Sequence, residues 1–303
     1  MRIAITASTG LIGGALARSL VADGIEVVRL VRRPPSGPGE IQWDPAAPGG
    51  ALSPDALDGF DAVVHLSGAP VANGRWTPAR KQELRTSRID STTALISAMQ
   101  AAAQPAAVLV TASAIGWYGE TGGRPVDETA PAGSGFLATL VRDWEAATSP
   151  ATEAGIRVVN LRSGIVLSSR GGMLPRLELP FRLGLGAKFG TGGQYVSWIT
   201  LTDHIRAVRF LLAGADLSGP FNLTAPQPVT NAELTKALAV TLHRPAVLRV
   251  PAGVLRLALG EVSTEVLGSC RALPARLQEA GFSFQHPSIG PALAAAIADK
   301  TGA

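Results

Sequence analysis

The chain has 303 residues, 46% hydrophobic and 17% charged, which is the composition of a folded globule and excludes a disordered or collagen-like polymer. Its 27 basic and 23 acidic side chains leave a formal net charge of +4, with the basic residues scattered in short pairs such as Arg32-Arg33 and Arg80-Lys81. Without a basic stripe interleaved with aromatics, no nucleic-acid partner is expected. No apolar run approaches the roughly eighteen residues of a membrane span, so no membrane association is expected either. The single cysteine, Cys270, has no second thiol to pair with and reads as a small buried hydrophobe. The N-terminus runs directly into Ile3-Ala4-Ile5-Thr6 with no cleavable leader, which makes the cytoplasm the expected compartment.

Residues 3–7 read as a short buried strand, followed by a helix over about 12–23 that Gly24 stops. A second strand is predicted over 25–31, mostly apolar as a parallel strand covered on both faces should be. A loop at 34–39 leads to a short third strand at 41–44 and a fourth at 62–66. A long helix over about 78–103, a fifth strand at 107–112, a helix over about 136–148 and a sixth strand at 157–161 complete the alternation. From about residue 171 the rhythm changes to Gly- and Pro-rich loops, with helices expected from 231 and near 252–260 and 271–280.

Repeated strand–helix–strand units imply right-handed crossovers and a doubly wound, Rossmann-like parallel sheet, here with a smaller C-terminal α/β lobe. The division expected is a main domain over 1–220, with some lobe loops from about 171, and a small domain over 221–303.

Between the first strand and first helix stands Thr6-Ala7-Ser8-Thr9-Gly10-Leu11-Ile12-Gly13. Glycines at such a turn let the backbone approach a diphosphate, whose charge then faces the helix N-terminus. Gly10 suits the close approach and Gly13 the packing of helix on sheet. The turn, from Ser8 to Gly13, resembles the opening of the extended short-chain dehydrogenase/reductase superfamily, Thr-Gly-x-x-Gly-x-x-Gly. The first glycine is replaced by Ala7, a change expected to be tolerated only at negative φ.

The second strand ends Leu30-Val31-Arg32-Arg33-Pro34, without the carboxylate that would accept a ribose 2′-hydroxyl. A guanidinium there pairs with a 2′-phosphate instead, so the expected cofactor is NADP(H), held by Arg32 first and Arg33 second. Asp61-Ala-Val-Val-His65-Leu66-Ser67-Gly68 is similar to the superfamily's fourth-strand signature. The resemblance puts Leu66, Ser67 and Gly68 beside the cofactor and leaves His65 in the core.

A narrower resemblance rests on strings in order along nearly the whole chain. They include Trp43-Asp44-Pro45, Arg75-Trp76, Ser87-Arg88, Ala112 to Gly119, Trp144-Glu145 and Arg162 to Leu167. Pro180 to Gly186, Ser197 to Asp203, Gly219 to Pro226 and Pro274 to Phe282 continue them. Together they resemble the atypical short-chain dehydrogenase/reductases named "epimerase family protein", which end in a small domain of unknown function. The resemblance implies NADP binding, with Arg88 adding a second positive group and Glu83 accepting from a ribose hydroxyl or orienting an arginine. It also implies Val166 near the nicotinamide. Five residues of helix turn Glu83 and Arg88 about 140° apart, so only long side chains bending inward would reach one ligand.

Hydride-transferring members of the superfamily use Ser or Thr with Tyr-x-x-x-Lys. The only tyrosines are Tyr118 and Tyr195, four residues before Gly122 and Ile199. Alignment on Glu145 puts Leu137 in the tyrosine slot and Val141 in the lysine slot, and alignment on Tyr118 puts Ala114 in the hydroxyl slot, one residue from Ser113. Substitutes are few: Ser113 and Tyr118 at the carboxyl edge of the fifth strand are the catalytic candidates. Trp76, Trp117 and Trp198 are candidate pocket walls or core, and Asp203-His204 is expected to support structure. Two readings stay open: an NADP(H)-dependent oxidoreductase or epimerase with a rewired acid–base set and an unknown small-molecule substrate, or a non-catalytic NADP(H)-binding sensor or scaffold. Oligomeric state is not legible.

Overall fold

The computed structural model describes residues 1–46 and 52–299. Seven strands form one parallel sheet: β1 (Arg2–Thr6), β2 (Glu26–Val31), β3 (Glu40–Gln42), β4 (Ala62–His65), β5 (Val108–Ala114), β6 (Arg157–Ser163) and β7 (Gly219–Leu223). Their spatial order is 3-2-1-4-5-6-7, with every neighbouring pair parallel. The order reverses between β1 and β4, opening a crevice at the carboxyl edge where such sheets bind ligands.

Alternation along each strand feeds two cores. Ile3 and Ile5 pack with Leu16 and Leu20 of helix α1 (Leu11–Ala22). Ala4 and Val63 face the other way, against Leu95 and Met99 of helix α2 (Pro78–Ala101). Thr77 caps α2, accepting from the Arg80 amide at 3.2 Å, and Pro78 supplies a first turn that needs no N–H. Helix α3 (Phe136–Ala146) packs beside α2, and helix α4 (Leu201–Ala213) beside α1. Both faces are thereby covered, which is why the strands read as continuous apolar runs.

The last quarter of the chain builds a third core, in which Leu234, Leu238 and Leu293 pack on Leu174, Phe181 and Trp198. Short parallel pairs join it to earlier segments: Leu248–Val250 with Ala187–Phe189, and Arg271–Ala272 with Pro125–Val126. The helix expected over 271–280 is a correction: Arg271–Ala272 is a strand and only Ala275–Glu279 is helical. Pro274 disfavours helix in the residue before it and so delays the start. The helix expected over 136–148 ends at Ala146, and Ser149–Glu153, with Pro150 in its first turn, forms a separate one. Helices Leu174–Arg182, α4 and Ile289–Ala298 were hidden by their Gly- and Pro-rich flanks. Among the described residues no helix is long and apolar enough to cross a membrane.

Candidate functional site

The turn after β1 is closed by the Gly10 amide, which donates to the Ala7 carbonyl at 2.9 Å. Gly10 is the N-cap of α1 and offers no side-chain acceptor, so the first-turn amides of a 12-residue helix remain available to an anion. A Cβ on Gly13 would lie 2.4 Å from the Ala7 carbonyl oxygen, so only glycine lets α1 approach the strand this closely. Ala7 itself corrects the expectation of negative φ: it sits at φ +51° in the left-handed region. The Ser8 hydroxyl is buried without a hydrogen-bond partner among the described residues, Thr9 and Gly10 are exposed, and Leu11 lies against Gly171 and Gly172. Free amides, an orphaned hydroxyl and glycine clearance together fit the diphosphate of a dinucleotide.

Of the two arginines after β2, Arg32 is exposed and has no hydrogen bond or ion pair among the described residues. Arg33 is closed by Glu40, donating to both carboxylate oxygens at 2.8 and 2.7 Å. That fork holds the Glu40 carboxyl down at about 2. At the end of β4 the Leu66 amide donates to Thr6 Oγ1 at 2.9 Å, fixing the half-buried Leu66 and Ser67 and the exposed Gly68 over the switch point.

Beneath that loop lies Arg88. Its guanidinium donates to the Leu84 and Ala69 carbonyls at 3.1 and 3.0 Å, lies over Trp144, and has no carboxylate partner among the described residues. Burial, then repulsion by Arg80, lowers its pKa to about 10. A Cβ on Gly68 would come 3.2 Å from Arg88 Cζ, so glycine keeps the loop seated on this charge. Glu83 is exposed and pairs with Arg80 at 2.5 Å, so it orients that arginine. Val166 is half-buried in the Ile165–Leu167 strand, and its carbonyl faces Gly172.

At the carboxyl edge of β5, Ser113 Oγ donates to Glu145 Oε1 at 2.5 Å. The same carboxylate receives Nε and Nη2 of Arg162, each at 2.8 Å. Arg162 Nη1 then donates to the Tyr118 hydroxyl at 3.1 Å, and that hydroxyl donates to Asn222 Oδ1 at 2.7 Å. The Asn222 amide donates to Glu128 Oε1 at 2.8 Å. Trp117 covers the Arg162 guanidinium, 3.9 Å from its ring centre. Ser113 and Tyr118 therefore sit in one buried chain of polar groups spanning β5, β6 and β7. Burial pushes the Tyr118 hydroxyl up to about 12, against the lowering effect of Arg162. Sequence reasoning noted Arg162 and Glu145 as motif residues but did not pair them. Leu137 and Val141 of α3 lie against Gly116, just beyond β5.

Trp198 is fully buried and Trp76 nearly so, each donating its indole N–H to a backbone carbonyl, Gln227 and Val71 respectively. His65 is wholly buried between Thr6 and Ser91, and burial lowers it to about 4. His204 meets Ser163 Oγ at 2.9 Å and is lowered to about 4 by the same cause. Asp203 accepts the amides of Gln285 and His286 at 2.9 and 2.8 Å, anchoring the chain that returns to α4.

This arrangement agrees with comparisons against known proteins. Residues 3–223 match the NAD dependent epimerase/dehydratase family, and residues 250–296 match a domain of unknown function, DUF1731. Epimerase family protein Mb2239 of Mycobacterium bovis is 49% identical over 292 residues, covering 96% of each chain. The crystal structure of human epimerase family protein SDR39U1 with NADPH superposes with a TM-score of 0.88 at 32% identity, covering 99% of this chain and 100% of that one. A nucleoside-diphosphate sugar epimerase from Corynebacterium glutamicum has a TM-score of 0.80 at 38% identity, covering 97% of this chain and 57% of its own. With its glycine turn, its sheet order and these relatives in agreement, the chain belongs to the NAD-dependent epimerase/dehydratase family of the short-chain dehydrogenase/reductase fold.

Proposed function

We propose that this protein is an NADP(H)-dependent oxidoreductase or epimerase that acts on a small carbonyl or hydroxyl compound in the crevice at the β1–β4 switch. The observation that carries the phosphorylated cofactor is Arg32, an exposed guanidinium just after β2 with no hydrogen bond or ion pair among the described residues. Arg88, buried beneath Gly68 and without a carboxylate partner among the described residues, adds positive potential nearby, and NADPH is the nucleotide held by the human relative. When bound, the nicotinamide would supply hydride exchange. This chain's part is to hold the diphosphate at the α1 amides and Ser8, to clasp the 2′-phosphate at Arg32, and to seat the ring near Val166. Arg33, already engaged by Glu40, is the lesser contributor.

Arg32→Ala tests the reading. A charge-assisted hydrogen bond contributes about 1.5–3 kcal/mol, so titration calorimetry should show NADPH affinity falling roughly 10- to 100-fold while NADH affinity holds. Equal loss for both nucleotides, or none for either, would refute the role given to Arg32. A non-catalytic NADP(H) sensor is the second reading, favoured by Leu137 and Val141 packing where the superfamily's tyrosine and lysine belong. NADPH binding with no absorbance change across panels of carbonyl compounds and sugar nucleotides would select it.

A further inference from the structure

The carboxyl edge of the sheet carries a row of positions that the fold leaves open. Val64, Val110 and Leu161 are fully buried on the side of α1 and α4. Two residues further along each chain, Leu66, Ala112 and Ser163 face the same way, and Ala114 stands beside Ser163 in register. All four are half-buried, and of them only Ser163 is polar. The segment after β6 folds back to the first turn of α1, since a Cβ on Gly172 would touch both Leu11 and the Val166 carbonyl at 3.5 Å. The row therefore runs from the diphosphate turn to Ser163.

Ser163 is held from behind. Trp198–Thr200 pairs with Ile165–Leu167 and leads directly into α4, which brings His204 beneath the end of β6. His204 Nε2 lies 2.9 Å from Ser163 Oγ, while its Nδ1 is buried with no hydrogen-bond partner among the described residues. Burial lowers the ring to about 4, so at neutral pH it carries one proton. A buried N–H without an acceptor is rare, which assigns that proton to Nε2 and makes the imidazole the donor. Ser163 Oγ then accepts from His204 and keeps its own proton for another acceptor. Among the described residues that proton meets only the Leu161 carbonyl, at 3.3 Å, a long contact for a hydroxyl.

The course of the dinucleotide supplies a better acceptor. Arg32 follows β2 on one side of β1, so the adenosine half lies toward β2 and the nicotinamide half toward β4, β5 and β6. We infer that Ser163, oriented by His204, is the hydrogen-bond donor to the carboxamide oxygen of the nicotinamide. The inference rests on the reading of the chain as an NADP(H) binder and holds whether or not a substrate is turned over. Ser163 is the contact, and His204 is a positioning residue that acts through it. A held carboxamide fixes the rotation of the ring, and so the face that it offers to a substrate.

Comparing two ligands tests this without a substrate. NADPH and 2′-phospho-ADP-ribose differ by the nicotinamide alone, so a loss confined to NADPH reports on that end. In titration calorimetry Ser163→Ala should weaken NADPH about 3- to 10-fold, the range of one neutral hydrogen bond, and leave 2′-phospho-ADP-ribose within about 1.5-fold. His204→Phe should repeat that pattern and add nothing further to Ser163→Ala. His204→Gln, whose amide can place an N–H at the same point, should restore most of the NADPH affinity. A merely structural role would weaken both ligands alike. Should His204→Phe not fold, His204→Asn, whose shorter amide leaves that point empty, takes its place. If wild type binds NADPH but Ser163→Ala keeps its affinity or weakens both ligands equally, the assignment of Ser163 fails and the cofactor reading stands. If the Ser163 and His204 losses add, or His204→Gln restores nothing, the positioning role of His204 fails. If neither ligand binds wild type, the cofactor reading falls and the assignment with it.

Discussion

Ala7 occupies a left-handed backbone conformation that costs an L-residue about 1–2 kcal/mol, at the position where the Thr-Gly-x-x-Gly-x-x-Gly pattern that the turn resembles has glycine. Its carbonyl accepts from Gly10 and lies where any side chain on Gly13 would intrude, so the turn fixes this geometry whatever residue occupies it. Ala7→Gly removes the strain, while glycine's extra unfolded-state entropy returns roughly 0.5–1 kcal/mol of it. The net expectation is a gain of up to about 1 kcal/mol in urea denaturation, and a clear loss would mean that the methyl group packs usefully. Sequence could flag the alanine but not the sign of its φ, which the neighbouring carbonyl geometry sets. Arg32 and Arg33 teach a similar lesson. Adjacent in sequence and alike in chemistry, they differ only because Glu40, on the next strand, reaches one of them.

Among elements, the joint of β5, β6 and α3 turns on one buried ion pair. Arg162 and Glu145 side chains are 3% and 10% exposed, so removing one charge strands the other away from water. Glu145→Gln is expected to lower stability by about 3–5 kcal/mol, and Ser113→Ala, which removes one hydrogen bond, by about 1 kcal/mol. Denaturation of the two variants side by side checks the ranking, and equal losses would contradict it. The strands and first three helices were legible because their apolar periods are long and regular. The pair was not, because its members sit on different elements and only the β5–β6 register brings Arg162 beside Ser113.

At the scale of the molecule, acid should act on both layers at once. His65 lies on the α2 side of the sheet near Trp43, and His204 on the α4 side against Ser163. Burial lowers each from 6.5 to about 4. Groups with depressed values are neutral in the fold, so their stabilisation is complete above about pH 6.5 and is lost as pH falls toward 4. Each contributes roughly 3 kcal/mol to that loss. Thermal or urea unfolding followed from pH 7.5 down to 4.5 should show a continuous decline, and a flat profile would count against neutral buried imidazoles. The doubly wound plan was legible from alternation alone. The lobe's wiring was not, because two- and three-residue strands carry no period to detect.

That wiring bears on how the protein is made. Arg271–Ala272 pairs with Pro125–Val126, and Cys270 reaches back to Ile115. A nascent chain holds every strand of the seven-stranded sheet once residue 223 has left the ribosome, before Arg271–Ala272 emerges to pair. That pairing therefore forms only after all seven strands of the sheet have been made.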